Sequence, residues 1–241
     1  MKILTHLTLS CLLISIPCVG FAQESPTDTA QTVASIVGQL TEEQKQSIQE
    51  GDIETIAKIA EQSGIDPDDV EALSSFAREL VTQSLEGLTG SDFDAAVEVT
   101  AKTVVQAVSQ FAFAQTSASE IVVVAISRSA TRAAVEKAAS VDGANVPAAA
   151  KAAAKGSAEG AVEAAVEAGL DLGTAANAAA KGASSGAIEA TAEDGAEAQA
   201  EAVSEASSGA VEGATEAARD SGQDAQEVQE VANQASEGSQ E

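Results

Sequence analysis

Few stretches of this 241-residue chain combine residue types and spacings that could do chemistry. Gly182-Ala183-Ser184-Ser185-Gly186 has the G-x-S-x-G form of a nucleophile elbow, where a serine on a strand-to-helix turn attacks an acyl carbon. That reaction needs a base to take the serine proton, and the only histidine is His6. No serine stands three residues before any lysine, so a Ser-x-x-Lys dyad is excluded too. Asp66, Asp68, Asp69 and Glu71 crowd their carboxylates together, but without the glycine and terminal glutamate of an EF-hand loop. Around them, Ala60, Gly64, Ile65, Val70 and Leu73 keep the offsets of a DNA-binding helix-turn-helix. The same four carboxylates would then face phosphates and repel them. Cys11 and Cys18 are too few for a zinc site, and no phosphate-binding or dinucleotide loop occurs. The expectation is a non-enzymatic protein with no cofactor, no catalytic or metal residue and no nucleic-acid partner.

The reactive side chains also lie where they are discarded. Met1-Lys2, a mostly apolar run from Ile3 to Val19 and the small residues before Gln23 read as a secretory signal peptide over residues 1–22, cut after Ala22. Five polar interruptions and Pro17 argue against a membrane anchor. Cleavage removes both cysteines, the histidine, the methionine and Lys2, leaving 11 basic residues against 38 acidic ones. The expected product is exported to the periplasm or the exterior and contains no disulfide.

Spacing says what the remainder builds. Gly64, Gly90, Thr116, Gly143, Gly169, Gly195 and Gly222 follow one another at 26, 26, 27, 26, 26 and 27 residues, and Gly38 and Gly51 extend the series at half that step. Glycine favours the left-handed turn just past a helix end. Asp52, Asp66 before Pro67, Ser91, and Ser117 with Glu120 follow as N-cap candidates. The chain therefore reads as an all-α protein, an antiparallel array or bundle of helices of about 22 residues. Ala152-Ala153-Ala154-Lys155-Gly156 and Gly160-Ala161-Val162-Glu163-Ala164 recur 26 residues later, with Ile188 in place of valine, and Gly209-Ala210-Val211-Glu212 is a decayed third copy.

Composition divides the array. Residues 23–90 should form short helices leading into one full-length helix, and 91–142 an apolar hairpin holding Phe93, Phe111, Phe113 and the run Ile121 to Ile126. Residues 143–222 hold 30 alanines in 80 positions and only eight larger aliphatics, forming an Ala/Gly-rich helical zone, and 223–241 read as an acidic flexible tail. A helical glycine costs about 0.5–1 kcal/mol against alanine. The pairs Gly156/Gly160, Gly182/Gly186 and Gly209/Gly213 are thus the candidate helix-packing residues, small enough to admit a second backbone. Acids recur every four residues, as at Glu159, Glu163, Glu167 and from Glu189 to Glu205. Such a stripe reads as a solvated face, with a rail for divalent cations or a basic partner as the alternative.

Thr174-Ala175-Ala176-Asn177-Ala178-Ala179-Ala180 resembles the unit of the Ala-rich fish antifreeze helices, although Ser185 and Ala196 stand where that family repeats threonine. The Ala/Glu/Lys bias also resembles late-embryogenesis-abundant stress proteins, without their lysine content. These resemblances imply cold or desiccation protection as a minor alternative. The main expectation is a structural or interaction protein of the cell envelope, with a protein partner or self-association. Membrane association through Gly-zipper helices is the second reading.

Overall fold

The computed structural model describes residues 37–38, 40–114 and 120–240. The signal peptide, Thr116 and the Ser117 capping box lie outside them. Among the described residues the fold is all-helical: α1 (Glu42–Gln49), α2 (Ile53–Ser63), α3 (Val70–Ser84), α4 (Gly90–Phe113), α5 (Glu120–Ser140), α6 (Val146–Ala168), α7 (Leu172–Ala190), α8 (Ala196–Asp220) and α9 (Ala225–Gly238). The glycine markers end or separate these helices, and each from Gly64 to Gly222 has a positive φ. Gly169 shows why: at φ 68° it turns left-handed, letting its own N–H and that of Leu170 bond back to Val166 and Ala165.

Three local expectations are corrected. First, α3 has 15 residues and is not full-length. Asp66 is spent in a turn, accepting from the Asp68 N–H, while Asp69 caps the helix through the Ala72 N–H. At the other end Gly87, with φ 78°, stops it early. Asp69→Ala should therefore lower stability by about 1 kcal/mol and Asp66→Ala by much less. Thermal melts of both variants check this, and a larger loss for Asp66→Ala would contradict the cap assignment. Second, α4 starts at Gly90 after Thr89, which places Ser91 inside the helix, whereas Asp52 does cap α2. Third, the expected flexible tail forms α9. Asp224 and Glu227 make a reciprocal capping box there, and Val228, Val231, Ala235 and Gly238 are buried. Composition read alone missed their i, i+3, i+7 spacing.

Sequence neighbours run antiparallel: Ser184 meets Ser207, and the Gln199 amide donates to the Ile188 carbonyl. The closest contacts, however, join alternate helices. Gly156 and Gly160 lie on Glu98 and Lys102, so α6 runs parallel to α4; Gly209 and Gly213 lie on Lys151 and Lys155, so α8 runs parallel to α6. In the same way α7 lies on α5 and α9 on α7, while Ser74 and Arg78 join α3 to α5. The chain thus zigzags between two layers, α4–α6–α8 and α3–α5–α7–α9. It stacks helix pairs as α-solenoids do.

Burial is uneven along the stack. Phe76, Phe93, Ile48, Ile56, Leu73, Leu80, Leu85 and Ile126 are the largest fully buried side chains, all in the first half. From α6 onward the buried apolar positions are alanine apart from Val162, Val228 and Val231. Among the described residues no helix is long and apolar enough to cross a membrane.

Candidate functional site

Three seams between parallel helices, α4 with α6, α5 with α7 and α6 with α8, bring the predicted glycines together with charges on the facing helix. A Cβ added at Gly156, Gly160, Gly182, Gly186, Gly209 or Gly213 would overlap the backbone carbonyl oxygen of Glu98, Lys102, Val124, Arg128, Lys151 or Lys155 respectively. All six contacts have the same separation along the chain, from Glu98 with Gly156 through to Lys155 with Gly213. The recurrence places a glycine pair on successive helices. Two such steps return to the same layer, so each pair meets the helix two elements earlier.

That close approach sets flanking charges face to face. In the layer α4–α6–α8, Lys102 pairs with Glu163 at 2.8 Å and Glu159 at 3.3 Å. Lys155 sits at the centre, 3.1 Å from Glu98, 2.9 Å from Glu216, 3.6 Å from Glu212 and 3.8 Å from Glu159. Lys151 adds a contact to Glu212 at 3.2 Å. In the other layer, Arg78 reaches Glu136 at 2.8 Å, Arg132 bridges Glu136 and Glu189 at 2.7 and 3.1 Å, and Arg128 also contacts Glu189.

Part of the acidic stripe is therefore engaged between helices. Glu159 is only 7% exposed, Glu163 and Glu189 are half-buried against bases, and Glu212 and Glu216 contact lysines of α6 while staying exposed. Spacing within one helix cannot show a partner that lies two helices away in the chain. A signal was nevertheless present. Lys102, Arg128, Lys155 and Lys181 recur at 26, 27 and 26 residues, and Glu136, Glu163, Glu189 and Glu216 at 27, 26 and 27. Lys102–Glu163, Arg128–Glu189 and Lys155–Glu216 are ion pairs with one common separation. The next base position, 27 residues after Lys181, is Ser208. The base series thus stops at α8, where Ser208 is exposed.

Protonation responds to this packing in opposite directions. Burial pushes the Glu159 carboxyl above the usual carboxylate range; Lys102 pulls it back, while Glu98 adds to the rise. Glu216 is held below that range by the hydrogen bond from Lys155 and then by its charge. Burial works against Glu136 ionisation, but the bond from Arg132 and the charge and bond of Arg78 outweigh it. Lys155 is held above the ordinary lysine value by its bond to Glu216, with burial opposing. Glu136 and Glu216 accordingly contribute stability that is present above the unfolded value of about 4.3 and is lost as pH falls through their lower folded values. Glu159 contributes the reverse: stability that grows as pH falls from neutral through its raised folded value. Melting temperature should rise from pH 7 toward the carboxylate range and then fall. Reduced self-repulsion adds to that rise, so Glu159→Gln is the comparison that isolates the buried group. It should flatten the rise, and an unchanged pH slope in that variant would refute the assignment.

Two other surface features are well defined. Around Leu170, Asp171, Asp224, Glu227 and Glu230, an open acidic depression of about 660 Å³ separates the start of α7 from α9. At the same end, Phe113, Val123, Leu170 and Ala175 line a smaller apolar hollow of about 220 Å³, beside Glu120 and the 68% exposed Ile121. Among the described residues no group of three or more His, Cys, Asp or Glu side chains converges as a metal site. In comparison with known proteins, the chain matches no family model, and neither a curated protein nor a solved structure is significantly similar to it.

Proposed function

We propose that the chain is a non-enzymatic, exported helical protein of the cell envelope that serves a structural or interaction role. One observation carries the structural or interaction half of this reading, while export rests on the N-terminal sequence alone. The bases Arg78, Lys102, Arg128, Arg132, Lys151 and Lys155 are turned to joining the protein's own helices, while the terminal helices present carboxylates and short polar side chains. On α8, Glu201, Ser204, Ser208, Glu212 and Glu216 are exposed, and on α9 Glu227, Glu230 and Glu237. Such a surface favours a separately dispersed object and selects basic partners. The absence of cysteine, histidine, tryptophan and tyrosine after residue 22 supports a scaffold more than a reaction centre.

The test is fractionation of producing cells followed by intact-mass measurement. A chain beginning at Gln23 in the envelope or medium is the expected result. An uncut chain retained in the cytosol would overturn the export half of the reading, and turnover of an acyl or phosphoryl substrate by the purified protein the other half.

The hollow bordered by Phe113, Val123 and Leu170, with Ile121 beside it, favours membrane contact as a second reading. The protein's negative charge sets it against anionic lipid. Flotation with zwitterionic vesicles separates the two readings: a protein that stays at the bottom of the gradient is not held by lipid.

A further inference from the structure

We infer that α8 and α9 form a releasable terminal unit, hinged at residues 192–195 and latched to the rest of the stack by Lys155. The inference rests on how differently the two ends of the array are held, and it is independent of where the protein resides.

The terminal pair buries little that is large. The buried positions of α8 are Ala202, Ala206, Gly209, Ala210, Gly213, Ala214, Ala217 and Ala218, and α9 adds Val228, Val231, Ala235 and Gly238. Alanine removes only one methyl group from water, whereas α3 alone buries Leu73, Phe76, Leu80 and Val81. In a stack where each helix touches only near neighbours, the end unit opens by breaking one set of interfaces while the remainder keeps its own. Among the described helices, the main interfaces of this unit are with α6 and α7. The segment joining α7 to α8 suits a hinge: Ala192, Glu193, Asp194 and Gly195 are exposed, and Gly195 has φ 94°.

What then holds α8 down is close backbone contact at Gly209 and Gly213, and charge. Lys151 and Lys155 are the bases on α6 that face it, and of the two it is Lys155 that also reaches α4, through Glu98. Its side chain is 17% exposed and reaches Glu212 and Glu216 of α8, which are themselves about half exposed, as well as the buried Glu159. Lys155 therefore fastens a helix that buries only alanine and glycine to α4, which buries Phe93, Val97 and Val104.

The test is hydrogen exchange followed by mass spectrometry on the full chain, comparing wild type with Lys155→Met and with Lys58→Met. Lys58 pairs with Glu54 in its own helix and serves as the control. In wild type, the amides of α8 and α9 should exchange about tenfold or more faster than the buried amides of α3 to α5. Lys155→Met should accelerate α8 and α9 together by a further factor of about ten, with α3 to α5 changing less than about twofold. Limited proteolysis should then cut first between residues 192 and 195. Equal acceleration along the whole chain, α8 responding without α9, or an effect matched by Lys58→Met would overturn the inference. So would a Lys155→Met protein that does not fold, because the latch requires the first half to stand without it.

Discussion

Gly182→Ala is expected to destabilise the protein even though alanine is the better helix former. In an exposed helix the exchange would gain about 1 kcal/mol. Here the new methyl overlaps the Val124 carbonyl oxygen and lies about 3.0 Å from the Arg128 nitrogen, both backbone atoms that move only if α5 and α7 separate. Overpacking of this kind costs typically about 1–3 kcal/mol and more where backbone must shift. The expected net loss is about 2 kcal/mol, a fall in melting temperature of roughly 4–8 °C for a chain of this size. Gly173→Ala in the same helix is the control. There the added carbon meets the flexible Gln234 side chain, whose Cγ lies 3.1 Å away. That variant should be neutral or stabilised by up to about 1 kcal/mol. Two circular dichroism melts decide the matter: if both substitutions shift stability in the same direction, the seam is not what the glycine serves.

Phe76→Ala should have the largest effect of any single truncation. Phe76 is fully buried in α3, among Leu73, Ala77, Leu80 and Val81, in the half of the stack that holds the largest fully buried side chains. Removing a buried phenylalanine costs about 3–5 kcal/mol, through lost transfer energy and the cavity left behind. The alanine-lined half has no comparable single side chain to lose. A melting temperature within about 2 °C of wild type would mean that the core does not carry the array. The same measurement on Val162→Ala, in the fully buried part of α6, should show a smaller loss, because only two methyl groups are removed.

These two effects have different sources in the sequence. The seam was visible as glycine pairs repeated at a fixed step, since a helix retains costly glycines where another backbone presses on it. The core around α3 is hidden in composition, which marks residues 91–142 as the apolar region. Phe76 and its neighbours are spread at helical spacing through an acidic stretch, where only the periodicity reveals them. The tail hides its helix for the same reason: Gln, Ser and Glu dominate residues 223–241, yet Val228, Val231, Ala235 and Gly238 dock α9 on α7 and α8.

The sequence by itself determined the helical class, the glycine-marked turns and the residues able to let two backbones meet. Those are properties of single residues and of spacing within one segment: glycine's access to positive φ, alanine's helix propensity and the cost of an interior glycine. The tertiary structure alone decided which helix each glycine pair meets and which base each acid faces. The glycine recurrence is equally compatible with pairing successive or alternate helices. The choice rests on three-dimensional packing: two layers bury the alanine faces together while setting Lys102, Arg128 and Lys155 opposite Glu163, Glu189 and Glu216. A stripe of like charge in one helix thus becomes a row of ion pairs between two.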